Sequence, residues 1–503
     1  MVLLELSPAV TSPKSQPTNP PLSPSQGFPY LRDMGKKNKP PVVLEQLQVT
    51  DLAAEGNALA KHEGKVIFFP FGAPGDVVDV KVFRSKKDWA EGKIVHIHSP
   101  SPDRVNPVCS HFTHCGGCKW QHLPYETQAS YKERQVLDQL QRVGKIFPKL
   151  VFPVVQAQPI FGYRNKVEFS FSTGRWRTSS EMDQPHEGPT DACGFHAPGR
   201  FDKVLEIDYC HLTDEVTNAI LHFTREFART HGYAFYDPRA QIGVMRNLLF
   251  RQTTTGQRMV VVIFGPQATK AQIEALMQAL EAQFPDLTSL LYTQNNKPND
   301  ALAGLSFEIW KGSMTIEEEM EGLYFRISPP SFFQTNSYQT LALYRKVREL
   351  AQLTGSEKVY DLYTGTGTIG LFLAPHAKEV IGIEYVEEAV ADAAKNAERN
   401  GISNAKFFAG DMKDVLSSEF VATHGRPDVV ITDPPRAGMH ANVIERILDM
   451  APDRVVYVSC NPATQARDLA LMDAAYEVVA IQPVDMFPHT HHIENIAVLE
   501  KRK

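Results

Sequence analysis

From about residue 340 onward, apolar residues come in short runs separated by longer amphipathic stretches. The runs are 358–363 "KVYDLY", 379–384 "EVIGIE", 405–409 "AKFFA", 428–432 "DVVIT", 454–459 "RVVYVS", 476–482 "YEVVAIQ" and 494–499 "ENIAVL". Helix-length segments separate the first five, a pattern that predicts a doubly wound parallel α/β sheet. No helix period lies between the last two, which predicts an antiparallel pair at the sheet edge.

The upstream half follows other periods. Over 42–98, alternating runs such as "GKVIFFPF" and "DVVDVKVF" are broken by Gly-Ala-Pro-Gly at 72–75, which predicts a small OB-like β-barrel. Lys61, Lys65, Lys81, Arg84, Lys86, Lys87 and Lys93 alternate there with Phe68, Phe69, Phe83 and Trp89. Cations for phosphate and aromatics for base stacking would suit an oligonucleotide site. On composition alone, a charged face over a phenylalanine core fits slightly better. Val136, Leu137, Leu140 and Val143 have helical spacing, predicting a helix over 125–143 that ends at Gly144. Residues 160–330 mix strand and helix patterns, with basic residues in "FGYRNKVEFSFS" and "GVMRNLLFR". The first 40 residues are rich in Pro and Ser and poor in apolar side chains, the composition of a disordered tail. Met34, opening "MGKKNKPP", is a candidate translation start. The expected units are thus a tail (1–41), the barrel (42–98), a central α+β domain (99–339) and a C-terminal α/β domain (340–503).

Composition narrows the class. Apolar residues at 43% and charged residues at 22% are ordinary for a globular chain, and no stretch reaches membrane-span length. The start "MVLLELSPAV" is short and lacks the basic opening of a secretory signal. Six cysteines in 503 residues make no disulfide scaffold and fit a reducing cytoplasm. Lys and Arg total 52 against 58 Asp and Glu, a net −6, so any nucleic-acid site must be a local basic patch. No obligate protein partner is evident.

The motifs sit at predicted strand ends. "DLYTGTGTIG" places Asp361, Gly365, Gly367 and Gly370 where backbone approaches a nucleotide closely, a pattern shared by NAD and S-adenosylmethionine sites. Glu384 closes the second strand, where a carboxylate can hold ribose hydroxyls, and Asp411 follows the third on the adenine side. "TDPPRAG" makes Asp433-Pro434-Pro435 a rigid polar turn, which in a methyltransferase-type sheet would sit beside the transferable methyl group. A dehydrogenase has no use for such a turn, so S-adenosylmethionine is the expected cofactor. "YVSCNPATQARD" then puts a thiol, Cys460, at the end of the fifth strand. An amine acceptor needs no nucleophile; a pyrimidine C5 does, because thiolate addition at C6 creates the enolate that attacks the methyl. The C5 proton must then be removed, and "DMFPHTHHIE" offers Glu494, with His489, His491 and His492 as competing bases. A metal site built from those three histidines would lack thiol or carboxylate ligands. Shaping the pocket or contacting RNA suits them better.

Tyr-Val-Ser-Cys-Asn-Pro, Asp-Pro-Pro-Arg-x-Gly and Asp-Met-Phe-Pro-x-Thr-x-His-x-Glu together resemble the RNA 5-methyluridine methyltransferase family, over roughly residues 42–503. The resemblance is closest to the bacterial 23S rRNA (uracil-5-)-methyltransferases. It implies a class I S-adenosylmethionine methyltransferase fold, with Cys460 as nucleophile and Glu494 as base. It also implies that Gln334 in "FFQTN", Tyr363, Thr368, Glu384, Asp411 and Asp433 line the cofactor and target-base pocket. The family often carries Asn or another polar residue at the Thr368 position. Residues 42–98 would be its RNA-binding TRAM domain.

Cys109-x5-Cys115-Gly-Gly-Cys118 has a ligand spacing that suits zinc and iron–sulfur clusters alike, with Cys193 and Cys210 as candidates for the fourth ligand. Spacing alone does not choose. The family's cysteine followed by x-Leu matches Cys210-His211-Leu212, which implies a [4Fe-4S] cluster on Cys109, Cys115, Cys118 and Cys210 within the central domain. Its expected role is structural or RNA-positioning, since radical enzymes use Cys-x3-Cys-x2-Cys. The expected partner is RNA, with rRNA ahead of tRNA because bacterial tRNA enzymes of the family usually lack both barrel and cysteine site. A target uridine inside structured RNA would be flipped out. Two other readings are a nucleotide-dependent iron–sulfur oxidoreductase, which leaves DPPR and SCNP unexplained, and a non-catalytic RNA-binding factor.

Overall fold

The computed structural model describes residues 42–182 and 188–503; the tail expected over 1–41, with its candidate start at Met34, lies outside the described residues. Five strands close the N-terminal barrel: β1 (Val43–Leu52), β2 (Ala58–His62), β3 (Lys65–Phe69), β4 (Val77–Ser85) and β5 (Trp89–Ser99), in the order β1-β2-β3-β5-β4. Alternate residues point inward, and Leu47, Val49, Ile67, Phe69, Val78, Val80 and Ile94 fill the interior. Phe69 is therefore core and not a stacking platform, whereas Phe83 is exposed and Trp89 carries the Arg84 guanidinium 5.0 Å from its ring centre. Lys81 and Lys93 sit directly opposite each other across β4 and β5.

Helix α1 (Tyr125–Gln139) continues into one wide turn, Leu140–Gly144, and the chain reverses at Lys145 with φ 57°, one residue beyond the expected stop at Gly144. Gly144 is required for a different reason: a Cβ there would lie 2.6 Å from the Ala466 carbonyl oxygen. After β6 (Leu150–Val151) come β7 (Lys166–Ser172), α2 (Ser179–Met182), β8 (Ala192–His196), β9 (Val204–Glu206), α3 (Glu215–Thr230), β10 (Met245–Gln252), β11 (Arg258–Phe264), α4 (Lys270–Gln283), β12 (Ser289–Gln294) and β13 (Glu308–Gly312). Strands β7 to β13 form a seven-stranded sheet, and α3 and α4 share one core with its apolar face, including Phe169, Phe250 and Val262. A hairpin, β14 (Ile316–Met320) and β15 (Leu323–Ile327), leads out of it.

The C-terminal part contains α5 (Ser337–Ala351), β16 (Lys358–Leu362), α6 (Thr368–Leu373), β17 (Glu379–Glu384), α7 (Glu387–Arg399), β18 (Ala405–Ala409), α8 (Met412–Val415), α9 (Ser418–His424), β19 (Val429–Thr432), α10 (Ala441–Met450), β20 (Arg454–Ser459), α11 (Pro462–Met472), β21 (Tyr476–Val484) and β22 (Glu494–Lys501). The sheet order is β18-β17-β16-β19-β20-β22-β21-β6. The first five strands are parallel, as the apolar runs predict, and β22 is antiparallel to both neighbours. The pair β21–β22 does not close the edge, because β6 adds parallel to β21. Val136, Leu140 and Ile146 pack into the same core as Tyr457, Leu469 and Ile481. The segment from α1 to β6, expected in the central unit, thus completes one face of the C-terminal sheet. Among the described residues no helix is long and apolar enough to cross a membrane.

Candidate active site

The parallel strands end along one edge, and the order reverses between β16 and β19, which opens a crevice where α/β sheets bind ligands. The turn after β16 holds Gly365 and Gly367 at φ 56° and 80°, and a Cβ on Gly367 would lie 2.9 Å from the Ala393 side chain. Asp361 braces this turn from below, accepting from Gly370 N at 2.9 Å and from the Thr364 hydroxyl. It is fully buried, and burial pushes its carboxyl up to about 7.

The other cofactor candidates surround the turn. Glu384 accepts from Gly365 N at 3.1 Å and from Val386 N at 3.0 Å, so its carboxylate is oriented by the backbone on both sides. Asp411 is half-buried after β18, where it caps α8 and pairs with Lys413 at 3.0 Å; that lysine holds its carboxyl below the usual range. Tyr363 takes a left-handed φ of 62°, and burial, reinforced by the charges of Asp468 and Asp411, pushes its phenol up to about 12. The Thr368 hydroxyl meets the Tyr344 hydroxyl of α5 at 2.8 Å, so it is engaged within the fold. Gln334 precedes α5, and its carbonyl accepts from Asn165 Nδ2 at 2.9 Å; Asn165 also reaches Ser337 Oγ at 2.7 Å. Asn165, which leads into β7, ties the central sheet to the start of α5, a role its sequence context does not reveal.

Cys460 follows β20 and Glu494 opens β22. The antiparallel register pairs Ser459 with Asn495, which sets Cys460 against Glu494 one step further on. Asn461 caps α11 through Ala463 N at 3.1 Å, with Pro462 as the first helical residue, so the Asn-Pro turn re-aims the chain immediately after the thiol. Burial pushes the Cys460 thiol up to about 11, with the Glu494 and Asp433 charges adding to it and the bonded Arg436 guanidinium opposing. Glu494 is raised well above the carboxylate range by burial and then by Asp433, and Asp433 is raised by burial and then by Asp361. Arg436 also lies 3.3 Å from His492 Nδ1. Burial lowers all three of His489, His491 and His492, which keeps those imidazoles neutral.

Cys109, Cys115, Cys118 and Cys210 line one cavity of about 570 Å3, which reaches Thr335, next to Gln334. Burial raises all four thiols, Cys109 to about 11 and Cys115 to about 12; neighbouring thiols add to the rise for Cys109, Cys115 and Cys118. Backbone N–H groups of Phe112, Gly117 and Leu212 bond to the sulfurs of Cys109, Cys115 and Cys210. Cys193 lies instead in β8, fully buried in the core of the central sheet. Among the described residues no group of three or more His, Cys, Asp or Glu is placed so that it could hold a metal ion, so the expected cluster on Cys109, Cys115, Cys118 and Cys210 has no support from this geometry.

The crevice at the strand-order switch, its glycine turn and the carboxylate held by two backbone N–H groups after β17 fit S-adenosylmethionine-dependent methyl transfer. Comparison with known proteins gives the family. Residues 250–502 match the tRNA (uracil-5-)-methyltransferase family model, and residues 45–95 match the TRAM domain. The chain is 52% identical to an RNA methyltransferase of Bacteroides thetaiotaomicron over 90% of its length and all of the relative's. It is 53% identical to one of Porphyromonas gingivalis over 90% of its length and 99% of that relative's. The crystal structure of Pyrococcus abyssi tRNA (uracil-54, C5)-methyltransferase with S-adenosyl-L-homocysteine superposes with a TM-score of 0.70, at 29% identity, covering 91% of this chain and 100% of that one. The chain belongs to the RNA (uracil-5-)-methyltransferase family, uses S-adenosylmethionine and acts on RNA.

Proposed function

We propose that the enzyme methylates C5 of a uridine in 23S rRNA through a covalent bond between Cys460 Sγ and C6, with Glu494 as the base. The observation that carries this reading is the facing of Cys460 and Glu494 across β20 and β22, beside Asp433. Cys460 adds to C6 as thiolate, aided by the Arg436 guanidinium, and the displaced electron pair moves to O4 as an enolate. Burial raises the Asp433 carboxyl, and its protonated form donates a hydrogen bond where that charge develops. C5 attacks the methyl carbon; the C–C bond forms as the sulfonium C–S bond breaks, leaving S-adenosylhomocysteine. Glu494 removes the C5 proton, and the returning electrons expel the thiolate from C6. The sulfonium cation entering the pocket favours ionised carboxylates, which prepares Glu494 to accept that proton.

Gln334, Tyr363, Thr368, Glu384, Asp411 and Asp433 form the cofactor pocket in this reading, with Glu384 on the ribose and Asp411 towards the adenine. Cys109, Cys115, Cys118 and Cys210 would hold a [4Fe-4S] cluster. Four thiols lining one cavity, with backbone N–H donors at three of the sulfurs, are the kind of donor set such a group takes. Bound there, it would supply a cross-link between the 109–118 loop and Cys210.

The rRNA target rests on the motif resemblance together with the barrel and four-cysteine site. A second reading, tRNA, is favoured by the similarity to the Pyrococcus tRNA enzyme over 91% of this chain. One experiment separates them. Protein is mixed with S-adenosylmethionine and 5-fluorouridine-substituted 23S rRNA or tRNA, then run on a denaturing gel. Fluorine cannot leave as a cation, so the adduct stalls after methyl transfer. A shifted band with rRNA that is lost in Cys460→Ala supports the proposal; a band with tRNA alone moves the substrate; no band with either overturns the covalent mechanism.

A further inference from the structure

The chain between β21 and β22 forms no strand, yet five consecutive carbonyls in it accept hydrogen bonds, each from another part of the protein. Asp485 O accepts from Gln339 Nε2 at 2.8 Å and Met486 O from Asn336 Nδ2 at 2.8 Å, both at the start of α5. Phe487 O accepts from Lys132 Nζ at 3.0 Å, and Pro488 O from the Tyr163 hydroxyl at 3.0 Å. His489 O accepts from Lys119 N and Trp120 N at 2.8 and 3.0 Å, immediately after Cys118. A connecting loop whose only task is to join two strands can leave such groups to water.

Helix α1 makes the central contacts. Tyr125, Gln128 and Lys132 recur at helical spacing on one face. Lys132 Nζ lies 2.6 Å from Asp485 Oδ1 with neither side chain exposed, and the Tyr125 hydroxyl donates to Asp485 Oδ2 at 3.1 Å. Gln128 accepts from His489 N at 2.8 Å and donates to Trp120 O and Leu123 O at 3.0 and 2.9 Å. His489 takes a left-handed φ of 67°, and its ring stacks on Phe161 at 4.3 Å. A buried ion pair adds little net stability, because desolvation offsets its attraction; its contribution is to exclude other geometries. Everything held here lies within ten residues of Glu494.

We propose that Gln128 and Lys132 are positioning residues for Glu494: α1 fixes the Asp485–His489 segment so that the carboxylate meets the C5 proton. This rests on Glu494 being the base. Addition of Cys460 and methyl transfer use groups on β19 and β20, outside the braced segment. Loosening the brace therefore slows the last step, proton removal with thiolate expulsion, and leaves the earlier bond-making steps intact.

The test follows one turnover on an unmodified 23S rRNA transcript, with tRNA transcripts as the alternative, using tritiated S-adenosylmethionine. Methyl transfer to RNA and the fraction of RNA covalently bound to protein are read together. Gln128→Leu removes the bond to His489 N–H; Lys132→Met with Asp485→Asn removes the ion pair without leaving a lone buried charge. For either variant, release slows by about 10- to 100-fold while methyl transfer changes by less than about threefold, so methylated adduct accumulates. Equal loss of both rates, or no change in release, overturns the positioning role. Glu494→Gln is the control. If it fails to accumulate adduct, the assignment of Glu494 as base is what fails, independently of α1.

Discussion

Cys460 faces Glu494 because the last strand runs against the other strands beside it. A parallel strand delivers its final residue to the crevice, whereas an antiparallel one delivers its first. The register pairing Ser459 with Asn495 therefore brings together two residues 34 positions apart in sequence, the end of β20 and the start of β22. The nucleophile and the base of the proposed mechanism are thereby held on rigid elements.

The Cys460 thiol, raised to about 11, is mostly protonated at neutral pH in the ligand-free enzyme. Iodoacetamide alkylation of Cys460 should rise roughly tenfold per pH unit between about 7 and 10, as the thiolate fraction does. Arg436→Ala removes the opposing cation and should slow alkylation further at each pH, as read by peptide mass spectrometry with Cys460→Ala as the blank.

Glu384 accepts from the backbone N–H groups of Gly365 and Val386. Glu384→Ala should weaken S-adenosylmethionine binding by about 10- to 100-fold, the effect of losing charge-assisted hydrogen bonds. Calorimetric titration of the RNA-free protein measures it; unchanged affinity would remove Glu384 from the pocket.

Asp361 has an ordinary value of 3.8 that burial raises to about 7. The folded state then binds more protons than the unfolded one across that interval, so stability falls as pH rises from about 4 to about 7 and is flat above it. The shift corresponds to a few kcal/mol at most, on the order of 4. Asp361→Asn keeps an acceptor for Gly370 N and should flatten the fall in Tm between pH 5 and pH 8, measured by differential scanning fluorimetry without cofactor.

Iron content and visible absorbance of protein purified without oxygen test the cysteine site. Cys118→Ser and Cys210→Ser should each lose most of both signals. Cys193→Ala, in the core of the central sheet, should keep them.

Lys81 and Lys93 oppose each other across the barrel, and Lys93 is lowered by burial and by the Lys81 charge. Like charges placed opposite each other destabilise a strand pair unless an anion lies between them. Lys81→Gln should raise Tm slightly, weaken RNA binding and reduce the slope of log affinity against log salt by about one. Filter binding across a salt series reads the slope.

The sequence made the catalytic sheet legible because its parallel strands are buried on both faces and read as unbroken apolar runs. "DVVIT" and "RVVYVS" become β19 and β20 within a residue of their expected limits. β6 escaped notice because two residues, Leu150 and Val151, carry no period. Phe69 could not be told from Phe83, since an alternating strand does not say which face is inward until its partners are known. The Tyr125, Gln128 and Lys132 face stayed hidden because amphipathic reading assigns polar positions to solvent, whereas these three meet a buried polar loop. Arg436 stood in the quoted DPPR motif, yet only the fold shows it bonded to the thiol.

The pairing of β6 with β21 also sets an order of assembly. Phe152 N donates to Ile481 O, and Gln482 Nε2 donates to Pro153 O across 329 residues of sequence. During synthesis, α1 and β6 leave the ribosome long before the strand they need, so Val136, Leu140 and Ile146 must wait with their apolar faces uncovered. The nascent chain can close its barrel early. The catalytic half is sealed only when the last few dozen residues arrive, and a chain cut short there loses both Glu494 and the strand against which β6 pairs.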